Sequence, residues 1–207
     1  MNKINYYEKS IQEIEFIKTL NYKPSILLHS CCGPCSAFPL QFLNEYFNIT
    51  IYYNNSNIYP DLEFTRRVNE LKEHLDKYYP NIKLLIPEYD GKAYTKFLST
   101  YGDMPEGQDR CFACYRKRME EGYIYAKENN FDYFTTVMSI SRQKNSQKLN
   151  EIGYLLEEKY PEVKYFYSDF KKKQGIDQTN KIAKENDMYR QDYCGCVYSY
   201  KNKKNIT

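Results

Sequence analysis

Ser25-Ile26-Leu27-Leu28-His29-Ser30-Cys31-Cys32-Gly33-Pro34-Cys35-Ser36-Ala37-Phe38 decides how this chain folds. Ile26 to His29 is a short continuous apolar run, the pattern of a strand buried on both faces of a parallel sheet. Pro24 separates it from a preceding helical stripe over residues 4–20, with Ile4, Tyr7, Ile11, Ile14 and Ile17 on one face. Beyond Cys35, the residues Ala37, Phe38, Leu40 and Phe42 sit in a helical setting, so three cysteines occupy a strand-to-helix turn.

The same alternation continues outward. Strands are expected at 49–53, 82–86, 133–137 and 163–167, and helices at 61–78, from Cys111 to about Asn129, at 145–160 and at 177–186. Residues 88–110 read as a looser stretch containing Gly102, Pro105 and Gly107. Strand and helix in turn predict an α/β fold with a five-stranded, mainly parallel sheet and helices on both faces. With strand order 3-2-1-4-5, residues 139–145 lie opposite Cys31 to Cys35 at the carboxyl ends of the strands. The expected organisation is one α/β domain over 1–207, with the segment 187–200 folding back onto the site and residues 201–207 frayed.

With 207 residues, 8 glycines and 8 prolines, and 42% hydrophobic content, collagen-like and wholly disordered readings are excluded. No apolar run approaches the roughly 18 residues of a membrane span. The start has no secretory leader pattern, and the expected location is the cytoplasm. The net charge of +3 announces no nucleic-acid binder by itself, so any basic site must be local.

Seven cysteines fall in three groups: Cys31, Cys32 and Cys35; Cys111 and Cys114; Cys194 and Cys196. In a reducing compartment such clusters point to metal or redox chemistry rather than a disulfide frame. Three chemistries fit. Cys32-Gly33-Pro34-Cys35 has the form of a thioredoxin active site. Cys32, Cys35, Cys111 and Cys114 would satisfy a tetrahedral structural zinc. An iron–sulfur cluster takes four thiolates, and seven suggest a second metal or a redox pair beside it. Cys111 and Cys114 share a helix face near its positive end, which should favour thiolates. Of the two histidines, His74 is expected at the surface, while His29 is expected to be a hydrogen-bonded structural residue.

His29-Ser30-Cys31-Cys32-Gly33-Pro34-Cys35-Ser36, Arg110-Cys111-Phe112-Ala113-Cys114-Tyr115 and Tyr189-Arg190-Gln191-Asp192-Tyr193-Cys194-Gly195-Cys196 together resemble the cobalamin-independent epoxyqueuosine reductase family. Asn57-Ile58-Tyr59-Pro60 and Asp169-Phe170-Lys171-Lys172 fit the same pattern. The resemblance implies a PP-loop/HUP-like fold and an oxidoreductase that removes the epoxide oxygen of epoxyqueuosine in tRNA to give queuosine. It also implies a [4Fe-4S] cluster and an additional iron ion, with all seven cysteines as the metal-ligand set, and an external electron donor. For tRNA, cations and planar groups near the site are needed. Arg110, Arg142 and Lys144 are the favoured cations because they are expected in loops facing the cleft, with Tyr59 and Tyr115 as stacking surfaces. No nucleotide-binding loop of the Walker or dinucleotide type is present, and cysteines stand where a PP-loop would be.

Overall fold

The computed structural model describes residues 4–204. Its sheet comprises β1 (Ser25–His29), β2 (Asn48–Tyr52), β3 (Lys83–Leu85), β4 (Tyr133–Thr136) and β5 (Lys164–Tyr165). All four pairings are parallel and the order is β3-β2-β1-β4-β5, as the sequence pattern predicts. The apolar run thus becomes the central strand. Successive side chains of a strand point to opposite faces. Ile26 and Leu28 accordingly enter one core, with Leu40 and Leu43 of α2 (Gly33–Leu43) and Leu71 and Leu75 of α3 (Asp61–Tyr78). Leu27 enters the other, with Met119 and Tyr123 of α5 (Asp109–Glu128) and Ile152 and Leu156 of α6 (Ser146–Lys159). Fully burying each such side chain contributes roughly 1.5–3 kcal/mol.

The remaining helices are α1 (Tyr6–Ile17), α4 (Gly91–Ser99), α7 (Gly175–Glu185) and α8 (Val197–Lys204). Several boundaries differ from expectation. The leading helix is shorter than 4–20, and Ile4 is largely exposed rather than part of a buried stripe. Outer strands β3 and β5 are shorter than predicted, and after β4 the chain tightens into a 3-10 turn at Val137–Ile140. Helix α4 lies inside the stretch expected to be loose, because Tyr94 and Leu98 bury one face of only about two turns. The tail expected to fray is helical through Lys204; residues 205–207 fall outside the described part. His74 is buried, not exposed, with its ring 5.2 Å from that of Tyr78 and 5.8 Å from that of Tyr79.

Candidate metal centre

The β1–α2 turn builds the first thiol group from local hydrogen bonds. Cys32 is the N-cap of α2, and its sulfur accepts the Cys35 backbone N–H at 3.4 Å. Pro34 falls in the first turn, where its missing N–H leaves nothing unpaired. Ser36 donates its hydroxyl to the Cys32 carbonyl at 2.8 Å, and Asn55 Nδ2 donates to the Ser30 carbonyl at 2.7 Å. The turn is thereby fixed at both ends. Among the described residues, Cys31, Cys32 and Cys35 form the one group of three or more potential metal donors whose ligand atoms all lie within 4.8 Å of one another. That donor set suits a soft, thiolate-binding metal. The neighbouring thiols of Cys32 and Cys35, then the cations Lys144 and Arg118, hold the Cys31 thiol well below its ordinary pKa.

His29 sits directly beneath, fully buried. The Asn54 carbonyl can only accept, so His29 Nε2 carries the proton and donates to it at 3.3 Å, and in the neutral ring Nδ1 accepts from the Thr136 hydroxyl at 2.8 Å. Burial, and next the Arg118 charge, lower its pKa to about 3, which keeps the ring neutral. Both nitrogens are engaged, consistent with the structural role expected for it.

Cys111 and Cys114 lie near the start of α5. Gly107 donates its N–H to Cys111 Sγ at 3.2 Å, and the Tyr94 hydroxyl lies 3.1 Å from the Cys114 carbonyl and 3.6 Å from Cys114 Sγ. The helix start was expected to favour thiolates here, but burial wins and raises both thiols, Cys114 to about 11. Cys196 packs with Cys114, Leu98 and Tyr94 in a small apolar cluster. The third group reaches this place because α3 anchors it. Arg67 donates to the carbonyls of Cys194 and Tyr193, each at 3.3 Å, while its Nε bonds Glu63 at 2.6 Å. Gly195 adopts φ +128°, in the region that favours glycine, and a Cβ there would meet the Arg67 guanidinium at 3.1 Å. Tyr59 donates its N–H to the Gly195 carbonyl at 2.8 Å.

The first and third groups meet. Cys31, Cys35 and Cys194 line one cleft of about 350 Å³ together with Arg142, Lys144 and Gln191. The thiols of Cys194 and Cys196 act electrostatically on both Cys111 and Cys114. Lys144 and Arg118 are buried near the thiols and, among the described residues, make no carboxylate ion pair. Burial opposes charge on both. For Lys144 the thiols of Cys194, Cys31 and Cys35, and for Arg118 those of Cys114, Cys31 and Cys194 with the Tyr94 phenol, outweigh it and hold each cation above its ordinary pKa. A buried cation without such compensation would be costly.

Not every sequence candidate faces the cleft. Arg142 and Lys144 line it. Arg110 is on α5 rather than in a loop, buried, donating to the Gly102 carbonyl at 3.0 Å and stacking 3.8 Å above the Tyr198 ring. Tyr115 is buried in the core beneath α5. Tyr59 is exposed outside the cleft lining, edge-on to Tyr200 at 5.5 Å. Sequence reasoning missed Gln191, whose Nε2 donates to Cys32 Sγ at 3.2 Å, although it stands three residues before Cys194 in a quoted motif. Arg67 and Arg118 stand among the sequence's wider set of candidate cations for tRNA, but both are buried and bond partners far away in sequence, Arg67 the Cys194 and Tyr193 carbonyls and Arg118 the Asn55 side chain.

A doubly wound parallel sheet carrying a group of three thiols that could hold a metal ion, beside a basic cleft, defines a protein of the α/β class with a candidate thiolate site. The family model described as "Epoxyqueuosine reductase QueH" matches residues 26–202, and the chain belongs to that family of oxidoreductases. Curated relatives of that name include one from Streptococcus pyogenes serotype M1, 36% identical over 203 residues, covering 96% of this chain and 79% of the relative. Another, from Staphylococcus epidermidis, is 36% identical over 203 residues, covering 95% and 85%. A third, from Thermotoga maritima, is 31% identical over 183 residues, covering 84% and 90%.

Proposed function

We propose that the chain reduces epoxyqueuosine in tRNA to queuosine, with its seven cysteines holding a [4Fe-4S] cluster and an additional iron ion. The observation that carries this reading is the meeting of Cys31 and Cys35 with Cys194, about 160 residues away in sequence, in one cleft that Lys144 also lines, with Cys111 and Cys114 near enough to Cys194 and Cys196 to feel their charge. Cys31, Cys32 and Cys35 would hold one part of the assembly, and Cys111, Cys114, Cys194 and Cys196 the other. Such a centre, when bound, supplies the two electrons that deoxygenation needs and an open Lewis-acidic iron for the epoxide oxygen. Two protons complete the conversion to alkene and water.

The chain's own residues bind and exclude. Lys144 and Arg118 offset the negative charge of clustered thiolates. Arg142, exposed on the rim, and Lys144, deeper in the cleft, are the cations available to phosphate and substrate oxygen. Tyr59 offers an exposed ring for an unstacked base. Tyr115 and Arg110 support the wall from inside, and contact with substrate would require them to become accessible. Reducing equivalents come from an external electron donor. A tRNA substrate agrees with a cytoplasmic location; no described helix is long and apolar enough to cross a membrane.

The test is anaerobic incubation of the purified chain with epoxyqueuosine-bearing tRNA and a chemical reductant, followed by nucleoside mass analysis. Queuosine should replace epoxyqueuosine; an unchanged nucleoside in the presence of iron-loaded protein refutes the reading.

A further inference from the structure

Gln191 belongs to the segment that carries Cys194, yet its side chain reaches the first thiol group. Its Nε2 donates to Cys32 Sγ at 3.2 Å and lies 3.9 Å from Cys35 Sγ. Its Oε1 is buried and has no hydrogen-bond partner among the described residues. Leaving a buried amide oxygen unpaired costs about 1–3 kcal/mol. A metal-bound Cys32 is a thiolate and only accepts, so in that state the amide must present its N–H, not its oxygen, to the sulfur. Cys32 Sγ therefore receives two N–H donors, from Gln191 and from the Cys35 backbone.

Hydrogen bonds to ligand sulfurs are among the determinants of an iron–sulfur reduction potential. Their sign follows from charge. Reduction adds an electron that is shared with the sulfurs, and a donor aimed at sulfur stabilises that more negative state more than the oxidised one. We propose that Gln191 is a positioning residue for the reduction, its amide N–H raising the reduction potential of the iron centre bound through Cys32. The inference rests on the proposed function and gives a role in it to a residue that is not itself a metal ligand.

The experiment compares the full-length parent with Gln191→Met, which keeps the length and loses the N–H, and Gln191→Glu, which also adds negative charge. All three are reconstituted anaerobically, assayed for iron and labile sulfide, and titrated with mediators while visible absorbance is followed. Iron content should be the same in all three. The midpoint potential should shift to more negative values in Gln191→Met and further in Gln191→Glu. Equal midpoints in iron-loaded parent and Gln191→Met overturn this inference while leaving the proposed function standing. Loss of iron from both variants makes the residue structural and also overturns it. A parent that takes up no iron overturns both.

Discussion

The turn bearing Cys31, Cys32 and Cys35 and the segment bearing Cys194 and Cys196 are brought to one cleft, lined by Cys31, Cys35 and Cys194, by different physics. The first three sit on a strand-to-helix turn whose hydrogen bonds run mostly between near neighbours: Cys35 to Cys32, Ser36 to Cys32, and Ser30 to Ser36 at 2.5 Å. The other two sit on a segment without strand or helix before α8, tied partly by its own neighbours, Ser199 and an ion pair between Asp192 and Lys203, and partly by distant groups, Arg67 and the Tyr59 N–H. The former group is an ordered consequence of the fold's central strand. The latter depends on side chains about 130 residues away, so it should be the first to leave when the cleft is disturbed.

The strongest way to separate them is to remove one thiol from each. Cys35→Ala should abolish iron binding at the first group, whereas Cys194→Ala should lose part of the iron and retain the rest, because ligation couples to local order. Iron quantitation on anaerobically purified variants checks both; equal and complete iron retention in either contradicts the ligand assignment.

Arg67→Met addresses the fastening alone. It leaves Glu63, which is 10% exposed, without its buried partner, and breaking such a pair costs about 3–5 kcal/mol. Urea unfolding should register that loss, with the thiols of Cys194 and Cys196 becoming more reactive to alkylation than those of the first group. Uniform reactivity would place both groups under the same restraint.

The pH dependence isolates the base of the first group. His29 is held near 3 in the folded chain against 6.5 when unfolded, so the unfolded state binds the extra proton between these values. Stability from this group is present above about pH 6.5 and is lost as pH falls towards 3, at about 1.4 kcal/mol per pH unit. His29→Gln should flatten that part of the stability profile relative to the parent. An identical slope in the two proteins would remove His29 as its source.

The smallest expected effect lies at the rim. Arg142→Ala should weaken tRNA binding modestly and reduce the slope of log affinity against log salt by about one. An unchanged slope takes Arg142 out of the tRNA footprint while leaving both thiol groups as they are.

The contrast between the groups also explains what the sequence revealed. The run Ile26 to His29 and the cysteines after it are read locally, and being apolar on both faces places β1 inside the sheet, while the full order 3-2-1-4-5 rests on the doubly wound pattern of alternating strands and helices. Spacing could bring Cys111 and Cys114 together on one helix face, but it carried no desolvation, so their pKa direction was reversed by burial. Arg110 was expected in a loop because Pro105 and Gly107 precede it; the helix starts at Asp109 and turns the guanidinium inward against Tyr198. Helix α4 escaped notice because its two-turn apolar face is shorter than the window in which periodicity stands out. Gln191 and Arg67 act on partners 159 and 127 residues away, a relation that no local pattern encodes.

The central claim is that distant thiols form one iron-holding assembly. Iron, zinc and labile sulfide should be quantified in the same anaerobic preparation of the parent chain. Iron together with labile sulfide and little zinc is expected; a colourless protein holding stoichiometric zinc and no sulfide would overturn the iron-holding assembly.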